Sequence, residues 1–299
     1  MKKPLASDPP NAAIDLHVHS TASDGTLTPT EILAMAVQLG LKAIAITDHD
    51  TLAGSAAAIS RGIPSTLQFL TGIEISADAP PGFVSDGSIH ILGYGIDLGN
   101  TRLGALLDVL KAARENRNPR IIARLNALGM DLNADELTPI VGSGVAGRPH
   151  IARLMVKKGL ADSIDDAFDR FLGKNRPGYV AKYRVPMADA IGAIDAAGGI
   201  AVLAHPYLND LKGQDGFEPF LQALIAMGLG GIEAIYPDHP ETVATEYCRL
   251  ARKYNLVITG GTDFHGEVTP GIQMGVGDGS FYVPYSIYEN LVKNLKTRP

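Results

Sequence analysis

The sequence has few of the features that mark secreted, disulfide-bonded or membrane-spanning proteins. It contains no tryptophan and a single cysteine, Cys248, which excludes an internal disulfide. In the segment TEYCRLARKY, Cys248 is typical of a small residue that packs a helix rather than of a nucleophile. No apolar stretch reaches membrane-spanning length, and MKKPLASDPP has two lysines without a hydrophobic segment after them, unlike a secretory signal. We therefore expect a cytoplasmic protein.

The length and composition indicate a globular protein of one barrel-sized domain plus an insertion. The 299 residues are 45% hydrophobic and carry a net charge of −6. Apolar runs alternate with helical patterns, which predicts βα winding. Strands are predicted near residues 12–18, 42–47, 67–75, 88–94, 199–204, 231–236 and 256–260. Helices are predicted at 28–40, 187–198 and 241–254, the first with a start signal at Thr28-Pro29 and a stop at Gly40.

The alternation lapses over residues 99–182, which we interpret as an insertion between barrel parts 1–98 and 183–299. Helical periodicity there is predicted to break at Asn118-Pro119, because proline disfavours helix at the preceding residue. The segment has 14 Lys and Arg against 9 Asp and Glu, leaving 12 against 23 elsewhere. A basic lid over an acidic body would attract an anionic substrate. Most of these basic residues, taken singly, also fit a solvated helix face.

Imidazoles and carboxylates stand at the ends of the apolar runs or within them. His17 and His19 lie on the same side of a strand, because side chains alternate with period two, so both can bind one ion. Since strand ends converge in a parallel α/β fold, we expect these groups to meet. Six imidazoles and three carboxylates suffice for two or three divalent cations. The candidate ligands are His17, His19, Asp24, His49, Glu74, His90, His205, Asp263 and His265.

The individual motifs differ in what they indicate. A lone H-x-H is more often ordinary histidine, Asp24-Gly25 also suits a turn, and His90 and His205 could each be core histidines. The cluster at 47–50 indicates a metal site more strongly, because an apolar run ends abruptly in an acid, an imidazole and an acid. Glu74 lies between two isoleucines, where a buried carboxylate is costly unless it is paired or binds a metal.

The motifs resemble those of the polymerase and histidinol phosphatase (PHP) superfamily of metal-dependent phosphoesterases, in the same order. The matching segments are DLHVHSTASDGTLTP, TDHDT, GIEIS, HILGYG, AHP and GTDFH. The resemblance implies an α/β fold, a distorted seven-stranded (β/α) barrel with a mainly helical insertion. It also implies a trinuclear centre, with manganese first and iron, zinc or magnesium as alternatives. In that family pattern the three ions would be held by His17, His19, Glu74 and Asp263, by Glu74, His90 and His205, and by Asp24, His49 and His265.

Within the superfamily, the insertion is similar to that of bacterial 3′,5′-nucleoside bisphosphate phosphatases, which are related to enzymes that trim RNA from the 5′ end. Two segments, Arg114-Glu115-Asn116-Arg117 and Gly147-Arg148-Pro149-His150, resemble those that hold the second phosphate and sugar. Arg117 and Arg148 are the preferred anchors, because the guanidinium fork suits bidentate phosphate binding. His150 could instead cap a helix. His239, after the sixth strand, is the candidate general acid or a second-phosphate ligand.

The sequence thus predicts a phosphatase that removes the 3′-phosphate of nucleoside bisphosphates, and acts also on short RNA, with metal-activated hydroxide. Asp24 and His49 join the catalytic group, because the third ion would neutralise transition-state charge. A histidinol phosphate phosphatase and a non-catalytic metal-binding or nucleic-acid-binding module remain alternatives. An amidohydrolase barrel is disfavoured, since no lysine ends a middle strand. Nothing in the sequence indicates an obligate protein partner.

Overall fold

The structure is a computed structural model of the chain. It describes residues 13–85, 89–141, 146–209, 211–212, 216–279 and 281–297. The N-terminal segment MKKPLASDPP, on which the argument against a secretory signal rests, lies outside the described residues. Among the described residues, no helix is long and apolar enough to cross a membrane, and the cytoplasmic location stays a prediction.

The central sheet contains all seven predicted strands. The strands of the structure are β1 (Ile14–Val18), β2 (Ala43–Ile46), β3 (Gln68–Asp78), β4 (Val84–Ser85), β5 (Ile89–Tyr94), β6 (Val185–Pro186), β7 (Ile200–Leu203), β8 (Leu211–Lys212), β9 (Gly231–Ile235) and β10 (Val257–Gly260). The seven long strands pair in the order β1-β2-β3-β5-β7-β9-β10, while β6 pairs with β3, and β4 with β8. The sheet curls so that Phe264, after β10, accepts a hydrogen bond from the amide of His19 at 2.9 Å. The predicted distorted seven-stranded fold is confirmed as a curled half-barrel.

One strand runs against the predicted parallel winding. β5 is antiparallel to both β3 and β7, with Ser76 opposite His90 and Leu203 opposite Ile91. The connection from β3 to β5 spans only residues 79–88, and its described part, 79–85, contains no helix, so the chain turns back instead of crossing over. The amino end of β5 therefore lies at the same edge as the carboxyl ends of its neighbours. His90 reaches that edge from the start of its strand.

Helices cover the sheet and build the insertion. They are α1 (Pro29–Gln38), α2 (Ala53–Arg61), α3 (Thr101–Asn126), α4 (Thr138–Val141), α5 (Arg148–Lys157), α6 (Ile164–Ala167), α7 (Met187–Ala196), α8 (Phe217–Ala226), α9 (Glu241–Lys253) and α10 (Tyr285–Lys296). Short 3₁₀ turns lie at Ala134–Leu137, Pro206–Asn209 and Gly266–Val268, and a π-helical turn at Phe168–Leu172. The predicted start of α1 is confirmed, because Thr28 and Glu31 form a capping box. Gly40 follows the helix with a positive φ of 74°.

The predicted break at Asn118-Pro119 is wrong, because α3 continues through Pro119 to Asn126. An interior proline costs about 3 kcal/mol, and packing along the helix offsets it. The first half of α3 buries Leu103 and Leu110 against the sheet core. The second half buries Ile121, Ile122 and Leu125 in a separate core that is built from residues 121–180 alone.

Helix α3 thus connects the sheet core with the separate core of residues 121–180. The separate core begins near Ile121 rather than at residue 99. The domain boundaries at 98/99 and 182/183 stay predictions. Since the amino half of α3 packs on the sheet, basic side chains on this helix are held over the edge where the strands end.

Two helical glycines provide a matched test of how tightly α2 packs against the loop that follows β2. A Cβ on Gly54 would lie 1.8 Å from Asp48 Oδ2, whereas one on Gly104 in α3 meets nothing within 4 Å. We expect Gly54→Ala to lower the free energy of unfolding by about 1–3 kcal/mol through overpacking. Gly104→Ala should raise it by about 0.5–1 kcal/mol, because alanine loses less chain entropy. Urea unfolding followed by circular dichroism measures both, and an undiminished midpoint for Gly54→Ala would contradict this packing.

Candidate metal centre

The nine predicted ligands come from six strands or the loops after them, and their side chains meet at one edge of the sheet. Three sets of ligand atoms each lie within 4.8 Å of one another. The sets are His17, His19, Glu74 and Asp263; His19, Asp24, His49 and His265; and His49, Glu74 and His90. The structure therefore brings together residues up to 248 positions apart, as the strand-end argument predicts.

The first set matches the ligand group that the family pattern assigns to one ion. His17 Nε2 and His19 Nε2 lie 3.2 Å apart. Both nitrogens face Asp263 Oδ1, at 3.2 Å and 3.1 Å respectively. Glu74 completes the group, with Oε2 at 3.3 Å from His19 Nε2 and Oε1 at 3.6 Å from His17 Nε2.

The second predicted group also forms, around Oε1 of Glu74. Glu74 Oε1 lies 2.9 Å from His90 Nδ1 and 3.0 Å from His205 Nε2. The two imidazole nitrogens are 3.4 Å apart. Glu74 is fully buried and contacts both groups, so its carboxylate can bridge two ions.

The third predicted group is more open and shares its members. His265 Nε2 lies 3.4 Å from Asp24 Oδ1, and His49 Nε2 lies 3.8 Å from Asp24 Oδ2. His49 Nδ1 also lies 2.7 Å from Glu74 Oε2. The position of His49 therefore fits either the Asp24 group or the Glu74 group, which the linear sequence does not separate.

The chemistry of these side chains fits divalent cations. Among the described residues, several buried atoms at the centre make no hydrogen bond: Asp24 Oδ1, His49 Nδ1, Glu74 Oε2 and Asp263 Oδ1. Such atoms are costly to bury without a partner, and a cation is the partner that several of them can share. Nitrogen and carboxylate oxygen together are ligands for zinc, manganese or iron.

The electrostatic field at the centre favours positive charge. Burial alone would raise the pKa of Glu74, but the surrounding imidazoles, led by His90 and His49, hold it well below its usual value. Burial alone would lower the pKa of His19, but the facing carboxylates of Asp263 and Glu74 raise it to about 10. The carboxylates are thus ionised, and they need either a protonated imidazole or a metal ion beside them.

Backbone strain is concentrated at the same place. Of the five described non-glycine residues with positive φ, three belong to the site or adjoin it: Asp50 at 56°, His205 at 25° and Asp263 at 55°. Such conformations cost about 1–3 kcal/mol each and persist where the surrounding contacts enforce them. The fold therefore holds these side chains against local preference.

Buried carboxylates that the sequence argument did not assign support the ligands. Asp48 accepts hydrogen bonds from Ser20 N at 2.8 Å and from Ser20 Oγ and Ser23 Oγ at 2.7 Å, which holds the loop that carries Asp24. Glu233 lies 3.0 Å from His17 Nδ1. The argument applied to Glu74, a carboxylate between apolar residues of a buried strand, also applies to Glu233 and could have found it.

The insertion contributes a basic pocket beside the metal centre. Its lining residues are Asp50, Leu110, Ala113, Arg114, Arg117, Lys182 and Tyr183. Arg114 and Lys182 both form ion pairs with Asp50, which directly follows His49. Arg117 is buried, donates from Nε to Val180 O at 2.9 Å, and leaves Nη2 without a hydrogen bond. Burial and the nearby Arg148 lower the pKa of Arg117 to about 10, so it stays charged at neutral pH.

The other predicted substrate residues are placed differently. Arg148 donates from Nη1 to Leu172 O at 3.1 Å, and its guanidinium lies over the rings of Phe168 and Tyr179. That arginine is therefore engaged within the insertion. Glu115 and Asn116 are exposed on α3.

The two remaining histidines have opposite tautomers when neutral. His150 Nδ1 accepts from Gly147 N at 3.0 Å, so its proton is on Nε2, and the predicted helix cap is present. His239 Nδ1 lies 3.1 Å from Ala234 O and must donate, which leaves Nε2 as a buried acceptor without a partner. Burial lowers the pKa of His239, so the protonated form that a general acid needs is disfavoured.

Comparison with known proteins gives consistent likenesses. The family model named PHP domain matches residues 15–142. A 3′,5′-nucleoside bisphosphate phosphatase from Chromobacterium violaceum is 35% identical over 271 residues, which are 88% of this chain and 91% of the relative. A 5′-3′ exoribonuclease from Haemophilus influenzae is 34% identical over 255 residues, 84% of this chain and 89% of the relative.

A solved structure shares the fold over almost its whole length. It is from Bifidobacterium adolescentis and is named as a metal-dependent phosphoesterase. It matches with a TM-score of 0.82 and 29% sequence identity, covering 96% of this chain and 97% of that chain.

We expect metal-replete protein to hold more than one divalent ion per chain, because nine ligands exceed one coordination sphere of about four. Elemental analysis of the purified protein measures this. Glu74→Gln should lower the content at two positions, since Glu74 contacts two ligand groups, whereas the exposed Glu289→Gln should not. One ion or fewer in the wild-type protein would contradict a multinuclear centre.

Proposed function

This chain belongs to the PHP domain family, and on that premise we propose that it removes the 3′-phosphate from nucleoside 3′,5′-bisphosphates. It is a metal-dependent phosphoesterase. We further propose that short RNA is degraded from its 5′ end at the same site, and that manganese is the working metal, with iron, zinc or magnesium as alternatives. The names of the two relatives support these substrates.

The observation that carries the proposal is the basic pocket that adjoins the metal centre. Three cationic side chains, Arg114, Arg117 and Lys182, line it together with a single carboxylate, Asp50. The buried Nη2 of Arg117 has no partner there. A phosphate dianion would neutralise the excess positive charge and accept a hydrogen bond from Nη2 of Arg117. A substrate with two phosphates can place one at the metal centre and the other in this pocket.

Lys182 is a cationic residue of this pocket that the sequence argument did not assign to substrate binding. Its Nζ lies 3.2 Å from Asp50 Oδ2 and donates to Ser76 Oγ. Burial lowers the pKa of Lys182, and the attraction of Asp50 opposes that shift. A lysine held in this way prefers a neighbouring anion, which supports its role as a phosphate ligand.

The residues of the chain divide the chemistry between them. The nine ligands would hold divalent ions, which would supply a Lewis acid for a phosphoryl oxygen and would lower the pKa of a bound water molecule. The Asp24, His49 and His265 group stands at the open side, next to the basic pocket through Asp50. His150 presents Nε2–H as a donor, and we propose that it binds a phosphate oxygen of the substrate. His239 presents an acceptor, which suits a substrate hydroxyl group.

The alternatives make different demands on the pocket. A histidinol phosphate phosphatase needs one phosphate site, so the positive charge of the pocket that Asp50 leaves over would meet no substrate anion. A non-catalytic module has no need to retain nine ligands, and all nine are present. The 5′-phosphate of an RNA end would bind the cations of the pocket as the second phosphate of a bisphosphate would.

A phosphate-release screen tests the proposal. Manganese-loaded protein should hydrolyse nucleoside 3′,5′-bisphosphates with a higher kcat/KM than nucleoside monophosphates or histidinol phosphate. Short 5′-phosphorylated RNA should release nucleotides, while 5′-hydroxyl RNA should react slowly. Preference for histidinol phosphate would contradict the proposed substrate.

Lys182→Met and Arg117→Met test the pocket. Each should cost about 2–4 kcal/mol in kcat/KM for a bisphosphate, the range for losing a buried charged contact, and far less for a monophosphate. The exposed Lys111→Met on α3 is the matched control. Arg148→Ala should lower both rates together, because that side chain packs within the insertion. Equal losses on both substrates for Lys182→Met would assign Lys182 to the reacting phosphate or to the fold.

His239→Asn tests the role of this imidazole in proton transfer. Since neutral His239 has a bare Nε2, we expect similar losses of kcat/KM for an alkyl phosphate and for an activated aryl phosphate. A general acid would instead be needed for the alkoxide leaving group alone. A loss confined to the alkyl substrate would show that His239 protonates the leaving group.

A further inference from the structure

Glu233 is a fully buried carboxylate in the middle of β9, and its two oxygens reach two different ligand groups. Oε1 lies 3.0 Å from His17 Nδ1, and Oε2 accepts a hydrogen bond from the backbone N–H of His205 at 2.8 Å. Its strand neighbours Ile232 and Ala234 pack outward in an apolar core. The side chain of Glu233 therefore points to the inner face, behind the metal ligands.

The contact with His17 sets the state of that imidazole. A carboxylate accepts hydrogen bonds, so the proton of His17 must be on Nδ1. In the neutral ring, which is the form that binds a metal, Nε2 then carries a lone pair, and it faces His19, Glu74 and Asp263. The tautomer that can bind a metal is thus specified from behind the ring.

The contact with His205 holds a strained backbone. His205 has a φ of 25°, a conformation that non-glycine residues rarely adopt. With its amide fixed on Glu233, the imidazole Nε2 comes within 3.0 Å of Glu74 Oε1. That bond fixes the amide side of His205, while its carbonyl oxygen accepts from Leu208 N at 3.0 Å.

We propose that Glu233 is a positioning residue that prepares two metal positions at once, through the tautomer of His17 and the backbone of His205. This inference rests on the proposed metal centre. It goes beyond the ligands themselves, because Glu233 contacts Nδ1 of His17 and the backbone N–H of His205. In both residues Nε2 is the atom that would bind an ion.

Glu233→Gln separates charge and hydrogen bonding from shape. The amide has one acceptor oxygen, whereas His17 Nδ1–H and the His205 N–H both need an acceptor. Either one of the two contacts becomes a donor facing a donor, or His17 moves its proton to Nε2 and loses the lone pair that faces the other ligands. We expect the affinity for Zn²⁺ to fall roughly 10- to 100-fold, the effect of losing a partner of a metal ligand. Competition with a chromophoric chelator measures the affinity.

Tyr94→Phe is the matched control. Tyr94 is equally buried, and its hydroxyl donates at 2.8 Å to the backbone oxygen of Leu16, next to His17, rather than to a ligand side chain. It should lower stability and leave Zn²⁺ affinity within about twofold, since no ligand atom changes its partner. Equal losses of affinity in Tyr94→Phe and Glu233→Gln would overturn the proposal and make Glu233 a structural residue.

The wild-type protein provides a test that does not depend on folding of a variant. In the Zn²⁺-loaded protein, ¹⁵N-edited NMR should show His17 protonated at Nδ1 and not at Nε2. A His17 protonated at Nε2 would overturn the proposal. Neither the affinity nor the tautomer involves a nucleotide, so both are independent of the proposed substrate.

Discussion

The structure depends on the burial of Glu74 among imidazoles at the edge of the sheet. A carboxylate without exposure is costly unless cations lie beside it. Its Oε2 faces His19 and His49, and its Oε1 faces His17, His90 and His205. This one group therefore connects the separate ligand sets. The curled sheet, the reversed strand and the strained loop residues all serve to bring nitrogen atoms to this carboxylate. A positive charge at the centre is the condition under which the arrangement is stable.

A second layer of buried acids holds the ligands in place. Asp48 fixes the loop that carries Asp24, and Glu233 holds His17 and the backbone of His205. These acids accept hydrogen bonds from donors that would otherwise move, so the ligand atoms are placed before any ion arrives. The cost is backbone strain, which is visible at the ligands themselves. The centre is therefore a property of the packed sheet and not of local loop preference.

The insertion adds charge of the opposite sign. Arg114 and Arg117 are carried on the helix that begins against the sheet and ends in a separate core, so one helix connects that core to the metal edge. Arg114 and Lys182 reach across to Asp50, which is adjacent to His49. An anionic substrate would meet cations on both sides. This arrangement suits a molecule with two phosphates and explains why acidic and basic residues are segregated along the chain.

The sequence by itself determined the seven long strands, the start of the first helix and the identity of the nine ligand candidates, because strand periodicity and capping are local properties. It did not determine the direction of β5, which places His90 at the start of its strand, or the continuity of α3 through Pro119. It favoured Arg148 and overlooked Lys182 and Glu233. Strand direction, the partners of a buried side chain and the tautomer of an imidazole depend on atoms from distant segments. Those contacts form when the sheet curls and the insertion packs on it, so they were decided by the tertiary structure.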